Sequence, residues 1–346
     1  MRDLKLAAVA GVAWLLYATG FLRLMLKVRL KGRAVVLMYH RVIAAADLDR
    51  TFSHDGIIVE AESFEKQLRA LRRHFRVVSL AEFRDHMETG RPFADRTCLV
   101  TFDDGWADNY SCAFPLLSKH RVPAVIFLPS AFIGTGRRFW QETLSHAFYR
   151  ILEGMDGKPA VECAALLRDA GITEPFPRAT TRAKPAVQEK VVRFKNAGEE
   201  VRQRLLDRAN EILAPRSLAL DHIDNFLSWE QVREMASTGI AFGSHTVDHH
   251  LLTTVPLDRA REELAESKRQ IEREIGSEVV AFTYPSGDYD GDVRRAVIDG
   301  EYVLAFTTTP RVVDAREDRY TIGRINIHQG GCPTIPMFLA RIAGVL

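Results

Sequence analysis

Thr97-Cys98-Leu99-Val100-Thr101-Phe102 is an uncharged run of strand length that ends on two adjacent carboxylates and a glycine, Asp103-Asp104-Gly105. A run without polar alternation reads as a strand buried on both faces, which confines the chain to a sheet covered on both sides. The carboxylates at its end repel each other when both are ionised and unpaired, so they need a cation, a proton or a hydrogen-bonding turn. An Asp-Asp-Gly turn meets that need if aspartate bonds its own backbone and glycine takes positive φ. A metal on one carboxylate and proton transfer at the other meets it as well.

Strand-length apolar runs recur along the chain, with helical spacing between them. Ala34–Tyr39 ends on His40-Arg41, and residues 41–62, without a clear period, read as a loop over that strand end. Ser63–His74 carries Phe64, Leu68 and Leu71 at helical spacing. Phe75–Val78 reads as a short strand, Leu80–Glu88 as a helix, Ala107–His120 as a helix divided by Pro115, and Pro123–Leu128 as a buried strand. After an interruption, Ser228 and Gln231 form a capping box for the helix Trp229–Ser237, and Ile240–Gly243 is a strand. Leu257–Ile275, Val279–Tyr284, Val293–Asp299, Val303–Thr307, Tyr320–His328 and Pro336–Val345 continue the alternation. The pattern predicts an α/β fold, a deformed (β/α) barrel of roughly seven to eight parallel strands, over residues 34–346. The interruption, about 139–225, is punctuated by Pro175, Pro177, Pro185 and Pro215 and reads as a helical insertion on the barrel, not a separate domain. Phe139-Trp140 at its start suits a core aromatic pair or a sugar-facing surface.

A net charge of +2, with 27% charged and 47% hydrophobic residues, is an ordinary globular balance and argues against a nucleic-acid partner. Cys98, Cys112, Cys163 and Cys332 form no C-x-x-C pair, so neither a structural zinc site nor a disulfide framework is indicated. Leu6–Leu22 is seventeen residues without a charge, close to the length of a bilayer-spanning helix. Residues 1–33 are therefore expected to be a membrane anchor with a basic juxtamembrane segment. A cleavable signal peptide and a buried helix are the alternatives. Arg23, Lys27, Arg29, Lys31 and Arg33 outnumber Arg2 and Lys5, which by the positive-inside rule puts the barrel on the cytoplasmic side.

His40, Asp103, Asp104, His245, His249 and the turn Tyr284-Pro285-Ser286-Gly287 all fall at or just after the C-terminal ends of predicted strands. Side chains from different strands converge at that end of a parallel barrel. His245 and His249 are four apart, a spacing that lets two imidazoles share one ion, and Asp104 is an available third ligand. Two histidines and one carboxylate suit catalytic Zn²⁺, with Fe(II) the competitor by ligand type. His250 competes with His249 by position.

Thr101–Gly105, then Ser244-His245-Thr246-Val247-Asp248-His249, then Phe282–Gly287 resemble, in order and spacing, the motifs of the polysaccharide deacetylases with the NodB-type domain, carbohydrate esterase family 4. The resemblance covers roughly residues 34–330 apart from the insertion. It implies a deformed barrel, a divalent metal, usually zinc, and removal of N- or O-acetyl groups from sugars. It implies further that Asp103 is the general base, that Asp104, His245 and His249 are metal ligands, and that the turn with Tyr284 and Ser286 supplies substrate contacts and an oxyanion donor. Two positions depart from the family pattern. Thr283 stands where many members carry an arginine that orients the catalytic aspartate, and Arg324 is the substitute this chain offers. The usual Leu-x-His motif near the C-terminus is not clear, which leaves His328 or, as in the exopolysaccharide deacetylases that this chain resembles, His40 as general acid.

The expected function is metal-dependent deacetylation of an acetamido sugar in an envelope or secreted polysaccharide. Deacylation or deformylation of a lipid-linked sugar at the cytoplasmic face is a second reading. A non-catalytic carbohydrate-binding barrel is a third, although binding alone would not need an unligated Asp103 beside a ligand.

Overall fold

The computed structural model describes residues 2–153, 165, 183–196, 199–213 and 223–345. They fall into two compact units, one of residues 1–45, 56–136 and 226–346, the other of residues 46–55 and 137–225.

The first unit is built on an eight-stranded, wholly parallel sheet. Its strands are β1 (Ala34–Tyr39), β4 (Arg76–Val77), β5 (Thr97–Phe102), β6 (Val125–Leu128), β7 (Ala241–Ser244), β8 (Ala281–Thr283), β9 (Leu304–Phe306) and β10 (Ile325–Asn326). The order is β10-β1-β5-β6-β7-β8-β9, with β4 pairing the start of β5 before β6 takes over at Thr101. Every residue of β1 and β5 is buried, as strands covered on both faces require. The sheet curls until its edges approach, and a single bridge between Phe306 and Ile322 links β9 to the segment that runs into β10. The expected barrel is thus a curled parallel sheet whose last side is a bridge and not a full ladder. The predicted strand Tyr320–His328 shortens to two residues because its first half pairs irregularly with β9.

Two expectations along this unit need correction. Residues 41–62 are not all loop, because β2 (Arg41–Ile43) pairs in parallel with β3 (Ile58–Glu60) as a small separate sheet. Ala107–His120 is not one kinked helix: a π-helical turn, Asn109–Ala113, precedes a helix Phe114–His120 in which Pro115 sits at the start, where its missing N–H costs nothing.

The outer layer includes α3 (Ala61–His74), α4 (Leu80–Thr89), α5 (Phe114–His120), α9 (Trp229–Ser237), α10 (Leu257–Ile275), α11 (Gly291–Asp299) and α12 (Ile335–Ile342). The capping box at Ser228 and Gln231 is present, with each side chain bonded to the other residue's backbone.

The N-terminal segment departs from the single helix expected of it. α1 (Arg2–Ala18) and α2 (Phe21–Arg29) are bent by 85° at Thr19-Gly20, where Gly20 takes φ 76° and the Thr19 hydroxyl donates back to the Leu15 carbonyl. Among the described residues no single helix is long and apolar enough to cross a membrane. Both arms pack on α12, burying Ala13, Leu22 and Leu26, and the Arg29 guanidinium donates to the Ala343 carbonyl.

In the second unit, α6 (Trp140–Glu153) packs on α7 (Ala183–Val192) and α8 (Glu199–Leu213), burying Leu144, Phe148, Val187 and Leu205. Phe139 is buried and the Arg202 guanidinium lies over the Trp140 ring, so the aromatic pair serves this unit's packing. Much of the predicted insertion, including Cys163, Pro175, Pro177 and Pro215, lies outside the described residues.

Candidate active site and metal centre

Strands β1, β5, β7 and β8 deliver the polar groups to one end of the sheet. β5 ends in Phe102, and the chain then turns with Asp104 at φ 75° and Gly105 at φ 65°. A Cβ on Gly105 would stand 2.6 Å from Leu128 Cδ2, so this turn excludes a side chain there. β7 reaches the site through Gly243, where a Cβ would stand 2.5 Å from the Phe127 ring and 2.8 Å from the Ala281 carbonyl. Thr246, His249 and Ser286 also take positive φ, at 69°, 58° and 58°. With Asp104, four of the seven described non-glycine residues in that region of backbone space surround the site, the pattern expected where geometry is imposed for function.

The structure brings Asp104, His245 and His249 together. The Nε2 atoms of His245 and His249 each lie 3.4 Å from Asp104 Oδ1. The Nδ1–H of His245 donates to the Thr283 carbonyl at 2.8 Å, which leaves the lone pair of Nε2 directed at Asp104. The Trp106 indole N–H donates to the other carboxylate oxygen of Asp104 at 3.0 Å. Burial lowers the basicity of His249, favouring the neutral form that ligates. Burial pushes the Asp104 carboxyl up, but protons on the two facing imidazole nitrogens, which a bound cation would replace, outweigh it and hold Asp104 well below the usual carboxylate range. An acceptor-only carboxylate between two imidazole nitrogens, all three atoms within 4.8 Å, is a donor set that fits one divalent cation.

Asp103 points to different partners. Arg324 grips it in a two-pronged pair, Nη1 to Oδ1 at 2.6 Å and Nη2 to Oδ2 at 2.7 Å. The remaining guanidinium donors go to the Thr307 carbonyl and to the Thr101 and Thr283 hydroxyls, so all five N–H groups of this fully buried arginine are used. Burial pushes the Asp103 carboxyl up; Arg324 overrides that and, with His245 and His40, holds it below its ordinary value. Thr283, where arginine was absent from its expected place, is itself one of the residues that orient Arg324.

His40 stands at the end of β1, close to both Asp103 and Asp104. Its Nδ1 is buried and has no hydrogen-bond partner among the described residues. The neighbouring backbone is fixed: Asn109 donates to the His40 carbonyl at 2.7 Å, and buried Arg41 pairs with Asp108 at 2.8 Å while lying 4.4 Å over the Trp106 ring. His328, by contrast, packs its ring against Gly331 in the turn after β10.

Tyr284, expected to contact substrate, has both of its donors bonded within the fold. Its hydroxyl donates to the Tyr320 carbonyl at 3.0 Å, its N–H donates to the Phe306 carbonyl, and its ring is buried against Phe282. Ser286 is placed differently, exposed and in the left-handed region. The turn's own bonds run from Gly287 to Tyr284 and from Asp288 to Pro285, leaving the Ser286 N–H outside them.

Sequence reasoning missed Glu263. Its fully buried carboxylate, on α10, accepts the N–H groups of Val247 and Asp248 at 2.8 and 2.9 Å, faces His250 Nδ1 at 3.3 Å and pairs with Arg259 at 2.8 Å. It thereby fixes the loop that carries both histidine ligands. Burial raises its carboxyl, and His250 with the two backbone donors brings it below the ordinary value. In sequence it is one acid among many on a charged helix, and its spacing from Arg259 reads as an exposed i,i+4 pair.

The family model for polysaccharide deacetylases matches residues 90–153 and 175–304. The chain belongs to that family, and with it to the hydrolases of amide bonds outside peptides. YxkH of Bacillus subtilis, whose name assigns it to the same family, is 20% identical over 306 residues, 88% of this chain and 75% of that protein. The poly-β-1,6-N-acetyl-D-glucosamine N-deacetylase of Staphylococcus epidermidis is 32% identical over 113 residues, 30% of this chain and 39% of that enzyme. The solved structure of IcaB from Ammonifex degensii has the same fold, with a TM-score of 0.57 at 20% identity, covering 89% of this chain and 97% of that one.

Proposed function

We propose that the protein removes N-acetyl groups from an amino-sugar polymer of the cell envelope or a secreted polysaccharide, with a divalent cation, Zn²⁺ by its ligand set, held by Asp104, His245 and His249. The observation that carries this reading is the separation of partners between two neighbouring carboxylates. Asp104 faces two imidazoles, and Asp103 faces Arg324. A cation in the first position supplies the positive charge that acidifies a water and polarises an acyl carbonyl.

The chain's own residues do the rest. Asp103, kept ionised by Arg324, retains a free lone pair on each oxygen and accepts the proton of the attacking water. The Ser286 N–H faces the oxygen on which negative charge develops. His40, with its free ring nitrogen, donates the proton that the departing amine needs. The N-acetylglucosamine polymer named for the staphylococcal relatives supports the choice of substrate class.

Release of acetate from poly-β-1,6-N-acetylglucosamine and from chito-oligosaccharides tests the proposal. Acetate is expected from at least one of them, lost on chelation and restored by added metal. Release that survives complete metal removal would overturn the metal assignment, and no release from either polymer by metal-loaded protein would overturn the substrate class.

A further inference from the structure

Exposed apolar side chains are concentrated at one place. Of the eight large hydrophobic residues that are well exposed among the described residues, six lie on the bent N-terminal pair: Val12, Trp14 and Leu15 on α1, and Phe21, Leu24 and Val28 on α2. They are 49–70% exposed, although each helix also buries a face on α12. On α2 the turn-by-turn spacing sorts three stripes: Leu22 and Leu26 inward, Phe21, Leu24 and Val28 outward, and the exposed Arg23 and Lys27 between them.

The fold adds further positive charge that the linear sequence does not group. Arg23 lies with Arg73 and Arg96 around His74, whose basicity burial and these three cations lower. Arg73 also belongs to a hollow on α3 and the end of α5 that is lined by Arg69, Arg72, Lys119, His120 and Arg121. Glu65 is the acid paired with Arg69, Lys119 and His120, so the surface remains cationic. An apolar stripe that faces away from the protein, bordered by cations at its sides, matches the boundary between acyl chains and anionic headgroups. A second copy of the chain is a poorer match, since it would bring the same positive border against its own.

We infer that α1 and α2 lie in the plane of an anionic bilayer surface, with Val12, Trp14, Leu15, Phe21, Leu24 and Val28 in the acyl boundary and the cations of α2, α3 and α5 at the headgroups. Neither arm is required to cross. The 17 residues of α1 span about 26 Å and the nine of α2 about 14 Å, against about 30 Å of hydrocarbon, and neither helix alone is long and apolar enough to cross. The end of α2 packs where β1 and β5 begin, with Leu30 and Gly32 carbonyls accepting the N–H groups of Arg96 and Phe93. The active site lies at the far end of those six-residue strands, about 20 Å away, so the surface and the chemistry are separable.

Sedimentation of the full chain with vesicles of phosphatidylcholine, alone or mixed with phosphatidylglycerol, tests the inference. Tighter binding to the mixed vesicles, weakened by salt, is expected. Leu24→Glu with Val28→Glu, and separately Arg23→Glu with Lys27→Glu, should each weaken it at least about tenfold, with the melting temperature unchanged. Equal binding by the variants, or a lipid-free dimer that these same substitutions dissociate, would overturn it. In cells, tags at the two termini should be accessible from the same side of the membrane, and tags on opposite sides would replace the in-plane arrangement with a spanning one.

Discussion

Two clusters of ligand-type side chains interleave on the loop after β7. Asp104 with His245 and His249 forms one, and Asp248, His250 and Glu263 form the other; in each, the candidate atoms lie within 4.8 Å of one another. By residue type and spacing they are nearly equivalent. Their charge balance differs. The second cluster already holds a cation, because Arg259 pairs with Asp248 at 3.0 Å and Glu263 at 2.8 Å, and two backbone N–H groups fill Glu263 Oε2. In the first, no lysine or arginine among the described residues reaches Asp104, whose remaining partner there is the neutral Trp106 indole. A buried carboxylate needs compensation, so the cluster without an internal cation is the one that fits an external one.

The largest expected effect separates the two clusters directly. His245→Ala should abolish both bound metal and acetate release, a loss of about a thousandfold or more in kcat/KM, since a catalytic metal contributes several kcal/mol to the barrier. His250→Ala should keep the metal, because His250 supports the loop without facing Asp104. Metal content by elemental analysis, read beside turnover, checks both variants. Metal lost from His250→Ala and retained by His245→Ala would reverse the assignment.

Within the first cluster the neighbouring carboxylates should also part company. Asp103→Asn keeps the shape but only one of the two acceptors that Arg324 bonds, and it cannot take a proton, so metal binding should persist while kcat falls by about two to four orders of magnitude. The pH profile sharpens the point through Arg324. Asp103 acts ionised, and Arg324 is what holds its carboxyl low against burial. Arg324→Gln leaves burial opposed only by the more distant histidines, so the Asp103 pKa rises and the acid limb of kcat/KM moves to higher pH. The same substitution removes stability that is present above the ordinary carboxylate pKa and lost as pH falls through the folded value. Arg324→Lys keeps the charge and should leave the limb nearly in place. It cannot satisfy five acceptors in one plane, so kcat should drop about tenfold through misorientation alone. A limb unmoved by Arg324→Gln would show that another group sets it.

How legible this was differs between strands and connections. Strands buried on both faces announce themselves as unbroken apolar runs, and Ala34–Tyr39 and Thr97–Phe102 were readable to the residue for that reason. The polar groups they deliver were readable because a parallel sheet gathers strand ends. β2 and β3 were not, since three residues carry too little pattern to separate from loop. The π-turn at Asn109–Ala113 is set by tertiary demands on Asp108 and Asn109, which hold Arg41 and His40, and no local signal encodes it. Arg324 was recoverable only by asking what replaces a missing arginine. The N-terminal segment was readable as apolar but not as bent, because one Thr-Gly step inside seventeen uncharged residues does not decide between a kink and continuity.

Glu263 tests the comparison most finely, since it belongs to the second cluster by chemistry and to the first by consequence. Through the N–H groups of Val247 and Asp248 it holds the segment in which Thr246 and His249 take positive φ, a conformation the surrounding bonds must impose. Glu263→Gln preserves an acceptor for those N–H groups and removes the charge that Arg259 and His250 face. Metal affinity should therefore fall by about tenfold, at the low end for groups behind the ligands, while kcat at saturating metal stays close to its original value because Asp103, Arg324 and His40 are untouched. Metal titration at fixed substrate measures the first and turnover at excess metal the second. If kcat fell and metal affinity did not, Glu263 would be acting on the reacting groups directly, and the division between the two clusters would fail.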